Sequence, residues 1–304
     1  MNHKQTIMNK VLGIITISIL FALSLTSCVN ENAIKKALEE VINDAVEDAV
    51  EDAVEDGFDG TKGFRPSPKW GKVNVKDFGN LTPFTAIKAE GKVDINFFQT
   101  NEINKNEEYS VSFFGNEKVF DHYDVKVSDD GVLLITAKQR LDSREPKISV
   151  NVKAPDLTHI TMSGTGDFTL GGETLAELSE LTIMMSGTGD VEFLSSLNCT
   201  GDLSISNSGT GDVKIRKMTC HDAVFDNTGT GDIDVAVKAV NIKATSSGTG
   251  DIDLEVDCDK IIALANGTSE IEIEGTARTF VRESSGLGKI DSKKLSAGKI
   301  IRTE

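Results

Sequence analysis

The chain has 304 residues, 38% of them hydrophobic and 6% aromatic, with 27 Gly, 5 Pro and a formal net charge of −16. So acidic a chain repels phosphate backbones and anionic headgroups, which argues against nucleic acid or anionic phospholipid partners. Scarce prolines and rings leave glycine to make the turns and Ile, Val and Leu to make the core, the composition of a β-rich body.

The first predicted element is a secretory signal. Lys4 and Lys10 precede an apolar run of 15 residues, Val11 to Leu25, shorter than the roughly 20 residues a membrane-spanning helix needs. The run ends in Leu25-Thr26-Ser27-Cys28, which resembles the bacterial lipobox: a branched residue, two small ones and a cysteine that receives diacylglycerol before cleavage. The expectation is a signal peptide over 1–27, a lipid on Cys28 and a mature chain held to a membrane by that lipid. The cleaved piece carries two lysines and no acid, so processing takes the net charge from −16 to −18. Val29 follows the cysteine where an aspartate would resemble an inner-membrane retention signal in enteric bacteria. This favours the outer membrane and leaves open which of its faces carries the protein.

Residues 28–68 read as an acidic tether. Within it, 33–56 hold nine acids against two lysines and repeat Ala-Val-Glu-Asp three times from Ala45. Ala and Glu favour helix, and a four-residue period keeps Ala and Val on one slowly drifting stripe. The segment is either a helical stalk, about 36 Å long at 1.5 Å per residue, or a solvated, disordered tail. Three Gly and two Pro in 57–68 end any helix.

Residues 69–158 predict a less regular β region. Tyr123, Val125 and Val127 alternate with polar neighbours, Asp129-Asp130-Gly131 supplies turn residues, and Leu133, Ile135 and Ala137 alternate again, the pattern of a hairpin. This region is expected to cover the edge that a bare solenoid would expose.

From 159 to 304 a short word recurs. Gly-Thr-Gly-Asp begins at 164, 187, 209, 229 and 248, then degrades to Gly267-Thr268-Ser269-Glu270 and Gly286-Leu287-Gly288-Lys289. Self-similarity at 19–23 residues predicts an all-β fold, a β-solenoid of about seven coils, because no single repeat buries its apolar face until the next stacks on it. Alternation on both sides of the word predicts two short strands per coil. The glycines imply either positive φ or a close approach of stacked backbones.

The aspartates of the word would stack at about 4.8 Å, which is unfavourable unless each is hydrogen-bonded or neutralised. The plainer reading is an Asx-type bond to backbone N–H groups of the same turn. The sharper one is calcium, with Asp232, Asp234, Asp251 and Asp253 as candidates, the adjacent coils with acids at both alternating positions. The word differs from the nine-residue calcium repeat, since its Asp follows the second Gly directly, and no cofactor is expected outright.

Catalysis has no visible machinery. His122, His159 and His221 show no metal-ligand spacing and read as ordinary surface or strand residues, and no nucleophile elbow or phosphate loop occurs. After lipidation of Cys28, Cys199, Cys220 and Cys258 remain, an odd number. Cys199 and Cys220 fall in successive coils, close enough for a disulfide, or else all three are small buried hydrophobes.

The order Phe84-Thr85-Ala86-Ile87, Gly91-Lys92-Val93-Asp94-Ile95, Asp130-Gly131-Val132-Leu133, Val152-Lys153-Ala154-Pro155-Asp156-Leu157 and the Ser-Gly-Thr-Gly-Asp series resembles the putative auto-transporter adhesin head GIN domain family, over residues 84–290. The resemblance implies a β-solenoid lipoprotein of Bacteroidetes-type bacteria with an adhesin label and no catalytic residues to carry over; surface display, adhesion or binding of a glycan or protein ligand is the expected function. A glycan-binding or polysaccharide-processing β-helix is the alternative. The chain departs from the series where Asp becomes Glu270 and Lys289, so any role of the Asp series should end near Asp251.

Overall fold

The computed structural model describes residues 71–302, apart from 80, 101–108, 142–144 and 172–176. The expected signal peptide, Cys28 and the tether lie outside the described residues. None of the described helices is long and apolar enough to cross a membrane.

The N-terminal part contains β1 (Val73–Phe78), β2 (Ala86–Ala89), β3 (Val93–Gln99), β4 (Ser110–Asn116), a one-turn helix α1 (Glu117–Phe120), β5 (Tyr123–Val127), β6 (Val132–Ala137) and β7 (Ile148–Ala154). The expected hairpin is β5–β6, antiparallel with Tyr123 opposite Ala137, and Gly131 takes the left-handed φ of +75° its turn requires.

The repeats follow as β8 (His159–Met162), β9 (Phe168–Gly171), β10 (Leu181–Met185), β11 (Val191–Asn198), β12 (Leu203–Asn207), β13 (Val213–Thr219), β14 (Asp222–Asn227), β15 (Ile233–Ser246), β16 (Ile252–Ala265), β17 (Glu270–Ser284), β18 (Lys289–Asp291) and β19 (Leu295–Arg302). They wind into a β-solenoid of about seven turns. One face stacks β8, β10, β12, β14 and the second halves of β15 to β17 in parallel register. A second face stacks β9, β11, β13, the first halves of β15 to β17, and β18.

A third, short face corrects the expectation of two strands per coil. Leu197–Asn198, Met218–Thr219, Val237–Lys238, Val256–Asp257, Gly275–Thr276 and Leu295–Ser296 pair in register as a strip of their own. Period-two alternation runs through this corner with little interruption, which is why β15 to β17 are 14 or 15 residues long. Earlier coils carry bulges there. Leu194-Ser195 faces Arg216 alone, and Arg216-Lys217 in turn faces Ala236 alone. Together with one residue lost between Cys199–Leu203 and Cys220–Ala223, these bulges shorten the repeat while the inward columns stay aligned.

Chain order and stacking order differ at the N-terminal end. Strands β2 and β3 pair with β8 and β9 on one side and with β6 and β7 on the other. The coil formed by 132–154 therefore lies outside the coil formed by 86–99. Beyond it, β5 runs antiparallel to β6, β4 antiparallel to β7, and β1 antiparallel to β4. The end of the stack is thus closed by antiparallel strands, which withdraw two parallel edges from further pairing. Inside, columns such as Ile95, Phe168, Val191, Val213, Ile233, Ile252 and Ile271 are essentially inaccessible and run the length of the body.

Candidate functional site

The repeated word forms the corner between the first and second faces. None of its glycines in 164–267 has positive φ; a side chain on them would strike the preceding coil. A Cβ on Gly231 would lie 2.1 Å from the Gly211 carbonyl oxygen, and one on Gly189 1.8 Å from that of Gly166. Of the two reasons anticipated for these glycines, close approach is the operative one.

The aspartates differ from the expectation of local Asx bonds. Each carboxylate Oδ1 accepts the backbone N–H of the aspartate one coil further on: Asp94 from Asp167 at 3.0 Å, Asp167 from Asp190 at 3.0 Å, Asp190 from Asp212 at 2.9 Å, Asp212 from Asp232 at 2.8 Å and Asp232 from Asp251 at 2.8 Å. Asp251 closes the series by accepting from Glu270 at 2.6 Å. The corner N–H points along the stack, and the side chain of the coil below fills the place a strand carbonyl would take. At the start, Lys147 Nζ donates to Asp94 at 3.0 Å and to Asp167 at 3.4 Å. Burial raises the Asp94 carboxyl, while the Asp167 N–H and Lys147 act to lower it. Burial pulls the Lys147 ammonium down, and the hydrogen bond and charge of Asp94, then Asp167, outweigh it and leave it raised. Beneath the corner, buried Asn227 accepts the Gly229 N–H at 3.2 Å and donates to the Gly231 carbonyl at 2.8 Å, and Asn207 does the same one coil earlier. These amides bridge polar backbone groups of the turn, although the Gly229 N–H also reaches the Asn207 carbonyl at 3.1 Å.

The outward side of the second face carries a groove of about 380 Å³. Asp234, Asp253 and Glu272 stand in register on three successive rungs along it. Lys214 pairs with Asp234 at 2.8 Å at one end, and Lys294 with Glu272 at 2.9 Å and Glu274 at 3.4 Å at the other. Asp253 lies between; burial first, then the charges of Glu272, Asp234, Asp251 and Asp232, raise its carboxyl. Of the four calcium candidates, Asp232 and Asp251 are rungs of the corner ladder, while Asp234 and Asp253 face the groove.

Among the described residues, the group whose ligand atoms all lie within 4.8 Å of one another is a different one, Asp202, His221 and Asp222. It sits at the corner between the third and first faces, where Asp202 accepts the Asp222 N–H at 3.1 Å and Asp222 accepts the Asn241 N–H at 3.0 Å. This second, shorter ladder escaped the sequence reading, although Asp202, Asp222 and Asn241 each lie seven residues before a corner glycine, Gly209, Gly229 and Gly248. Cys199 and Cys220 are buried free thiols in the same column on successive coils, where Cys199 N–H donates to the Thr219 carbonyl. Cys258 is one column position beyond Ala239.

Comparisons with known proteins agree with this architecture. The family model described as "Putative auto-transporter adhesin, head GIN domain" matches residues 83–240 and 236–301. A "putative adhesin" of Bacteroides fragilis superposes with a TM-score of 0.54 at 23% identity, covering 79% of this chain and 100% of that one. One from Parabacteroides distasonis gives 0.59 at 18% identity, covering 77% and 98%. A structure titled "putative lipid binding protein" from the same species gives 0.51 at 16%, covering 77% and 98%. At these identities the likeness establishes the fold. No curated protein matches the chain.

Proposed function

This chain belongs to the putative auto-transporter adhesin, head GIN domain family, and from that premise we propose that it is a lipoprotein, anchored through Cys28 in the outer membrane, whose solenoid is a non-catalytic surface for adhesion or ligand binding. The observation that carries the reading is the groove on the second face. Asp234, Asp253 and Glu272 form a fixed row at strand spacing, capped by Lys214 and Lys294. A rigid row of charges with a central, incompletely neutralised carboxylate suits a ligand that brings amines or hydroxyls at matching spacing. Carboxylates that cleave a glycoside flank the bond from two sides, whereas these stand side by side on one sheet. The exposed large apolar side chains among the described residues are aliphatic, Met184 and Leu194 among them, so a sugar would be held by hydrogen bonds rather than by ring stacking. The acidic segment 33–56 would hold the body away from the membrane.

The experiment is protease shaving of intact cells alongside the Cys28→Ala variant. Loss of the body from intact cells, and release of the variant from the detergent phase, are expected. A body protected from protease would place it on the periplasmic side, and turnover of any member of a glycan panel would replace adhesion with catalysis.

A further inference from the structure

We propose that Asp202, His221 and Asp222 form a surface site for a divalent transition metal of the zinc type, separate from the groove and from the calcium candidates. The solenoid itself creates it. Coil stacking sets Leu203 beside Ala223, which brings Asp202 alongside Asp222, and His221 precedes Asp222 in the chain. His221 Nδ1 lies 3.4 Å from an Asp202 oxygen and 3.6 Å from an Asp222 oxygen. Charge-assisted N–H···O bonds close to about 2.7–2.9 Å, and the imidazole stands further than that from both carboxylates it pairs with. These two separations are close to the edge of a tetrahedron, about 3.4 Å when each ligand is about 2.1 Å from the ion, and the ligand atoms of all three residues lie within 4.8 Å of one another.

The ligands are also held before any metal arrives. The Asp222 N–H holds Asp202 Oδ1 at 3.1 Å, and Asn241 holds Asp222 Oδ1 through its backbone N–H at 3.0 Å and its side-chain amide at 2.9 Å, so the bonds fall on the two oxygens that face His221. Such outer hydrogen bonds orient metal-binding carboxylates in general. A mixed nitrogen and oxygen set of three favours zinc over calcium, which wants six to eight oxygens. All three side chains reach solvent, so the fourth position is open to water or to a donor from another molecule.

The test is calorimetric titration of the purified, chelator-treated full chain with Zn²⁺ and, separately, with Ca²⁺. One saturable zinc site is expected, with calcium giving no comparable heat. His221→Gln should weaken zinc at least tenfold, and Asp202→Asn, which keeps the acceptor for the Asp222 N–H, should weaken it with the fold intact by circular dichroism. His159→Gln, altering an exposed histidine elsewhere, should change nothing. Absence of saturable zinc binding, or zinc binding that His221→Gln leaves unchanged, would overturn the assignment.

Discussion

The Asp232 carboxylate accepts the backbone N–H of Asp251, its counterpart one coil further along, at 2.8 Å. Like charges stacked at strand spacing repel, yet each rung supplies an acceptor that no backbone carbonyl provides at that corner, and the hydrogen bond outweighs a repulsion that water screens. Asp232→Asn keeps an acceptor and removes a charge, so it should melt at or above the parent temperature. Asp232→Ala orphans the Asp251 N–H and should cost up to about 1 kcal/mol. Thermal denaturation of the three proteins checks the order, and an alanine variant as stable as the asparagine one would show that the rung is idle.

Gly231→Val should destabilise far more than Thr230→Val. A Cβ at 231 meets the Gly211 carbonyl oxygen at 2.1 Å, and its next neighbours are also backbone atoms of that coil, at Gly211 and Thr210, whereas Thr230 is exposed. Matched melting temperatures would contradict the packing described for the corner.

Millimolar calcium should move the melting temperature by no more than about a degree, since a ligand stabilises only by binding the folded state. Asp232 and Asp251 each spend an oxygen on the ladder. A large saturable shift that Asp232→Asn abolishes would instead make the ladder a calcium site.

Acid should relieve strain in the groove. The folded Asp253 carboxyl is raised above its ordinary 3.8 by burial and then by neighbouring acids, so the folded state holds that proton more tightly than the unfolded one. Its charge therefore weakens the fold above the raised value, and the penalty disappears as pH falls through that value toward 3.8. Asp253→Asn should raise the melting temperature at pH 7 and lose its advantage near pH 4. A constant difference across that range would separate the effect from titration.

Oxidation of the unfolded-then-refolded or native chain by oxidised glutathione should join Cys199 to Cys220 and leave Cys258 alkylatable, because Ala239 stands between Cys220 and Cys258 in the column. Burial pushes the Cys220 thiol up to about 12 and Cys258 up to about 11. Exchange should accordingly be slow at neutral pH and faster in alkali, with Cys258 labelled first in the native state. Peptide mapping that found Cys258 bridged to either of the others would break the register.

Much of this protein is a consequence of local repetition, and local repetition is legible in one dimension. Gly-Thr-Gly-Asp at 19–23-residue steps was enough to require a solenoid, to align Asp167 through Asp251 and to end the series before Lys289, because stacked coils place equal offsets above one another. The β5–β6 hairpin was equally local, set by Asp129-Asp130-Gly131. Tertiary structure decided whatever depends on contacts without a repeated word. It extended the ladder back to Asp94, where Gly91-Lys92-Val93-Asp94 lacks the second glycine, and placed the coil 132–154 outside the coil 86–99. It also split the coils from β11 onward into three faces, since period-two alternation runs through the added corner nearly unbroken. The same stacking drew Asp202 toward His221 and Asp222, 19 and 20 residues away, a proximity that the equal offsets before Gly209 and Gly229 carry but that no repeated word of its own marks.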